Sequence, residues 1–186
     1  MRLSLRCICL LFLISACTKP TELEKEFMCK SETFSGSTEN TKDVKNTFTV
    51  AIPKHWKTNL FYDEIQSSVY FADTTKQLTD TYLIDITHVS NELKLDKDFI
   101  EKFKVSLSNE QLVETTSYEL KFQDKDSYYS RASGKKGQFN YEVSNLFIKV
   151  NTNNYIHAKA EVYGDSLVNQ RFCNAFSLIE KIEYKP

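Results

Sequence analysis

The strongest constraint on the fold is a period of two in the apolar residues, interrupted twice by a period near 3.6. In Tyr155–Tyr163, Ile156, Ala158, Ala160 and Val162 alternate with more polar positions, the pattern of a strand that buries one face. Residues 82–89 repeat it, with Tyr82, Ile84, Ile86 and His88 on one side and Leu83, Asp85, Thr87 and Val89 on the other. Residues 47–52 put Phe48, Val50 and Ile52 on one face, and Pro53 closes the run because it donates no ladder hydrogen bond. Shorter strands are expected at 69–71, 120–122 and 128–132. The stretch Gly134-Lys135-Lys136-Gly137 is expected to turn into a strand over 139–150. Asn151-Thr152-Asn153-Asn154 makes the next turn, into Tyr155–Tyr163.

The two interruptions read as helices. Asp98 and Glu101 have capping-box spacing, and Phe99, Ile100, Phe103 and Leu107 fall on one helical stripe. A last helix is expected from Asp165 or Ser166, with Val168, Phe172, Ala175, Phe176 and Ile179 on its buried face and Cys173 at the margin. The order is three strands, a helix, three or four antiparallel strands and a helix.

The first seventeen residues have a different design. Arg2 and Arg6 precede a compact apolar run over 7–14, and Ser15-Ala16 supplies small residues before Cys17. The run is shorter than the ~20 apolar residues that a spanning helix needs. Leu13-Ile14-Ser15-Ala16-Cys17 resembles the lipobox of bacterial lipoproteins, with isoleucine at a position where leucine is commoner. That resemblance implies a diacylglycerol on the Cys17 sulfur, cleavage just before it and acylation of the new amine. It makes residues 1–16 a signal peptide and the lipid a membrane anchor. Thr18 follows, not an aspartate that favours inner-membrane retention, so the expectation is a cell-envelope protein at the outer membrane, facing the periplasm or the cell surface. Removing residues 1–16 takes away two arginines, so the formal charge moves from −1 to −3 over 170 residues, enough chain for one domain with its own core. Charges are mixed along it, and no basic block marks a nucleic-acid footprint.

Residues 17–46 read as a lipidated cysteine and a polar tether, with the folded domain over 47–186. The tether is rich in Ser, Thr, Lys and Glu, too polar to offset the entropy of ordering, except where Phe27-Met28-Cys29 offers a docking point. Cys7 and Cys9 leave with the signal and Cys17 carries lipid, so Cys29 and Cys173 remain as an even pair. An oxidising compartment favours a disulfide between them; two separate buried thiols are the alternative.

Several segments together resemble the PsbP-like family, which includes PsbP, Mog, DcrB and LpqN proteins. They are Phe48-Thr49-Val50-Ala51-Ile52-Pro53 followed by Trp56, Ser68-Val69-Tyr70-Phe71-Ala72-Asp73, and the helix after Leu95-Asp96-Lys97-Asp98. Tyr128-Tyr129, the hairpin over 145–162 and the closing helix with Phe176 leading into Ile182 complete the set. The resemblance covers residues 47–184. It implies an α/β (α+β) fold with a central antiparallel β-sheet and helices packed on both faces, and it carries over no catalytic residues.

Chemistry is sparse. His55, His88 and His157 lie on separate elements, and no metal-ligand spacing, glycine-rich phosphate loop or nucleophile elbow is present. His88 reads as a core residue. His157 reads as a surface or helix contact. Aromatic residues make up 13% of the chain, ten of them tyrosines, which suit both sheet packing and binding surfaces. A binding patch, if built, falls at His55, Trp56, Phe61 and Tyr62, an irregular stretch without a core period. The first functional reading is a membrane-anchored, non-enzymatic module that binds or assembles an envelope partner protein, with no cofactor. The second is a small-ligand or metal-binding lipoprotein with a pocket near Trp56 and His55.

Overall fold

The computed structural model describes residues 21–29 and 36–185, so Cys17 and the expected signal peptide over residues 1–16 lie outside it. Thirteen elements follow in order among the described residues: α1 (Glu22–Glu26), β1 (Thr38–Lys42), β2 (Phe48–Pro53), β3 (Lys57–Tyr62), β4 (Gln66–Ala72), β5 (Leu83–Val89), α2 (Lys97–Asn109), β6 (Val113–Phe122), β7 (Lys125–Lys136), β8 (Phe139–Lys149), β9 (Tyr155–Tyr163), α3 (Val168–Ile179) and β10 (Glu183–Tyr184). No helix among them is long and apolar enough to cross a membrane.

The frame is a seven-stranded antiparallel sheet in the order β3-β4-β5-β9-β8-β7-β6. Its register turns alternation into two chemically distinct faces. Val69, Ile86, Ala158, Leu146, Tyr129 and Tyr118 stand in one transverse row on the first face. The adjacent row, on the second face, reads Phe61, Ser68, Thr87, His157, Phe147, Tyr128 and Glu119.

The first face is covered by α3 and by a small sheet ordered β1-β2-β10, and their apolar side chains merge with it into the main core. On the second face α2 lies over β6–β8, where Phe99 and Phe103 meet Tyr128 and Phe147 edge to face at 5.0–6.3 Å. Helices therefore pack on both faces, as the resemblance implied. The α2 cap is Asp96, whose side chain accepts from the Phe99 amide at 2.9 Å, two residues before the expected Asp98. Asp98 instead sits in the first turn and binds Lys102 at 2.6 Å. At α3, Leu167 holds a left-handed conformation (φ 49°) and offers no side-chain cap. The buried Arg171 guanidinium fixes that end by donating to the carbonyls of Thr81, Tyr163 and Gly164 at 2.8–3.2 Å.

Two expectations are corrected. The folded body begins well before residue 47. Leu23 and Phe27 are fully buried, and β1 pairs residue for residue with β2 although its sequence is polar. An edge strand needs only backbone partners, so composition does not reveal it. The buried Asp43 carboxylate ties the next turn, accepting from the amides of Lys45, Thr47 and Phe48 and the Thr47 hydroxyl. Burial pushes this carboxyl upward, but those bonds and Ser67 win and hold it below its usual range. The second correction is Gly134, which belongs to strand β7 rather than to a turn. A Cβ there would stand 2.7 Å from the Gln111 carbonyl oxygen, so the position needs glycine for close approach. The turn falls at Gly137, where φ is +59°.

Candidate functional site

The four residues singled out as a patch do not converge. Trp56 is only 9% exposed and packs on Tyr82 and Phe71 at ring distances of 5.0 and 6.1 Å, so it belongs to the core. Its amide bonds the Pro53 carbonyl at 3.0 Å, a turn that swings the indole under the sheet edge. His55 stays exposed, with Nε2 4.0 Å from the buried Asp73 carboxylate. Burial raises the Asp73 carboxyl, but bonds from Thr75 and the charges of Lys76 and His55 bring it net downward.

Phe61 and Tyr62 are at the surface, 58% and 66% exposed, on β3, which is an edge strand. Leu60 (44%) and Ile65 (57%) flank them, so four large apolar side chains face solvent along one hairpin. The hairpin itself is well made. Asp63 Oδ1 accepts from the amides of Ile65 and Gln66, both at 2.9 Å, and the Asp63 amide donates to the Gln66 carbonyl. That last bond fixes the alternation of the antiparallel ladder. Phe61, Asn59 and Lys57 direct their backbone groups at β4, and Thr58, Leu60 and Tyr62 direct theirs outward. The opposite edge, β6, is blunted by a bulge between Glu114 and Thr116. Among the described residues β3 has no such protection beyond Lys57, although open apolar edges invite pairing.

A second constellation lies on the half of the second face beside α2. Lys159 Nζ is 2.9 Å from Glu161 Oε1 and 4.0 Å from Asp85 Oδ2, and Lys136 Nζ is 3.6 Å from Glu161 Oε2. Burial drives the Glu161 carboxyl upward, but Lys159 and Lys136 outweigh it and hold it low; at Asp85 burial prevails and the carboxyl is raised. His157 stacks on Phe147 at 4.1 Å, and its Nε2 lies 3.0 Å from Asn145 Oδ1. Burial, aided by the Lys159 charge, pushes the imidazole down to about 3, so it is neutral and a poor base at neutral pH. A cleft of about 290 Å³ runs here between α2 and the sheet, lined by Phe103, Leu107, Val143, Asn145, His157 and Lys159. Asn145 Nδ2 finds no partner among the described residues. No set of three or more His, Cys, Asp or Glu residues among the described residues is placed to hold a metal. The charges in this group neutralise one another, and among the described residues the hydrogen-bond partner of His157 is Asn145.

The third feature joins the N-terminal segment to α3. Cys29 and Cys173 stand at disulfide distance, with Sγ atoms 2.02 Å apart and Cα atoms 5.5 Å apart. Phe27 packs on Phe172 and Phe176 at 5.0–5.2 Å, the Arg131 guanidinium lies over its ring, and the Tyr118 hydroxyl donates to Glu26 at 2.6 Å.

No protein-family model matches the sequence, and no curated protein sequence does. Solved structures do match. The cyanobacterial PsbP (CyanoP) of Synechocystis superposes with a TM-score of 0.54 at 12% identity, over 84% of this chain and 97% of its own. A Mog1 structure gives 0.51 at 9% identity, over 79% and 95%. A structure from Bacteroides thetaiotaomicron gives 0.52 at 14% identity, over 82% of this chain and 50% of its own. The fold is PsbP/Mog1-like. At these identities the likeness extends to the fold and no further.

Within this PsbP/Mog1-like domain, sequence reasoning missed the open β3 edge because 57–62 has no alternation. It also missed the grouping of His157, Lys159, Glu161 and Asp85. The period of two placed the β9 trio on one face, but only the β5–β9 register brings Asp85 beside Lys159.

Proposed function

We propose that this protein is a membrane-anchored envelope lipoprotein, acylated at Cys17, whose PsbP/Mog1-like domain is a non-enzymatic module that binds a partner protein. The observation that carries the binding reading is the β3 edge, where exposed Leu60, Phe61, Tyr62 and Ile65 accompany outward-directed backbone groups. An extended partner segment could add there as an eighth strand, its backbone paired with Thr58, Leu60 and Tyr62 and its alternate side chains on Phe61 or on Leu60 and Tyr62. Thr18 after Cys17 supports placement at the outer membrane. The mutual neutralisation of Lys159, Glu161, Asp85 and Lys136 supports a structural rather than catalytic role for that cluster. The burial of Trp56 in the core supports this reading over a ligand pocket at His55 and Trp56.

The test is site-specific photo-crosslinking in intact envelopes, with the reactive residue at Tyr62 or, as a control, at the exposed Lys102 on α2. A discrete adduct is expected from Tyr62 alone. Leu60→Pro removes an outward N–H without breaking the β3–β4 ladder, so it should abolish the adduct and leave folding intact. Equal adducts from both positions, or an adduct indifferent to Leu60→Pro, would refute strand addition.

A further inference from the structure

We propose that the docked N-terminal segment is a short leash, holding the α1 side of the domain on the bilayer surface and leaving the β3 edge far from it. This rests on acylation of Cys17 and adds an orientation to it. The first described residue, Thr21, is held to the folded body, its hydroxyl donating to Glu180 Oε1 at 3.3 Å. Fully buried Leu23 and Phe27, the Glu26–Tyr118 bond and the Cys29–Cys173 pair fasten the chain from there to residue 29. Cys17 and Thr21 are four residues apart. At ~3.6 Å per residue, no conformation of that link spans more than about 14 Å. A free tether running to residue 46 would have allowed roughly 100 Å by the same measure. The domain is therefore held at the membrane.

The fold decides which side is held. Glu180 lies at the C-terminal end of α3, and its carbonyl accepts from Gln123 Nε2 at 2.8 Å, so the β6–β7 turn at Gln123 and Asp124 lies near the leash. Around it Glu22, Lys25, Lys121, Asp124 and Lys181 are exposed. This mixture of charges suits contact with lipid headgroups and not insertion among the acyl chains. β3 is the opposite edge of the sheet, six strand spacings from β6, or about 29 Å at ~4.8 Å each. The anchored edge and the open edge are thus opposite edges of one rigid sheet, separated across the strands and not along them.

The mature acylated protein in phosphatidylethanolamine–phosphatidylglycerol vesicles, with an acceptor dye on a lipid headgroup, provides the test. A genetically encoded fluorescent donor replaces Asp124 in one sample and Tyr62 in the other. Energy transfer from position 124 should be at least twice that from position 62. Inserting twelve Gly/Ser residues after residue 20 leaves the body intact and should erase most of that contrast. A Cys29→Ser/Cys173→Ser/Phe27→Ala variant, shown to be folded by its Trp56 emission, should do the same by releasing α1 from the domain. Equal transfer from both positions in the parent, or a contrast that survives both leash variants, overturns the inference. Protein that does not partition to vesicles at all overturns the acylation itself, and the inference falls with it.

Discussion

Replacing both Cys29 and Cys173 by alanine should be the most informative single perturbation of stability. The pair closes a loop with a sequence separation of 144 residues, so it removes a large part of the unfolded chain's freedom. The chain-entropy relation puts that at about 5 kcal/mol at 25 °C. The enthalpic side is small here, because Phe27 and Leu23 remain able to pack when the bond is gone. A urea slope of about 2 kcal/mol per molar then turns the loss into a midpoint about 2.5 M lower. The assay is urea unfolding of a Cys17→Ala form, in which acylation at that residue is impossible, with and without the double substitution. Trp56 is the only tryptophan and is packed against Tyr82 and Phe71, so its emission reports the main core directly. Reduction with dithiothreitol should reproduce the shift in the parent and do nothing to the variant. A midpoint unchanged by either treatment, or alkylation of Cys29 and Cys173 in the unreduced native protein, would show that no bond between them constrains the unfolded chain.

Two further outcomes concern buried polar groups. The folded His157 ring holds a proton only near pH 3, against 6.5 for the ordinary group, so the unfolded state binds more protons between those values. Stability should be full above pH 6.5 and fall, by up to about 1.4 kcal/mol per pH unit, as the pH drops toward 3. His88, also pushed down by burial, acts with the same sign. Melting temperatures of the parent and His157→Gln from pH 7.5 to 4 test this; parallel profiles would contradict it. Arg171→Leu strands three carbonyls at Thr81, Tyr163 and Gly164, each worth about 1–3 kcal/mol when buried and unpaired. A loss of roughly 3 kcal/mol or more, some 6–12 °C in Tm, is expected by calorimetry, and a shift under 2 °C would count against the clamp.

The sequence revealed most where one face of an element is buried and the other is not. β5 and β9 alternate cleanly because α3 and the small sheet cover their apolar side more closely than the other is covered, and α2 and α3 show their apolar stripes for the same reason, whereas β2 is buried along nearly its whole length. β3 was illegible because it is exposed on both faces, so Leu60, Phe61 and Tyr62 follow one another without a period. β1 was illegible because its contribution is backbone pairing by a polar strand, and the five residues of α1 are too few to display a helical stripe. Trp56 looked like part of a patch because it sits in an irregular turn, where no local pattern says which way a side chain points. The even cysteine pair did point to the right juncture, since Phe27-Met28-Cys29 docks where α3 presents Cys173. The polar cluster around Lys159 depends on the pairing of β5 with β9, two strands separated by four intervening elements.

Both the proposed anchoring and the orientation built on it depend on one covalent fact. Mass spectrometry of the N-terminal peptide from the protein purified out of cell envelopes measures it directly. The account predicts a peptide that begins at Cys17 and carries the added mass of a diacylglyceryl group, with or without an acyl chain on the amine. A peptide that begins at Met1, or one that begins beyond Cys17, would contradict it.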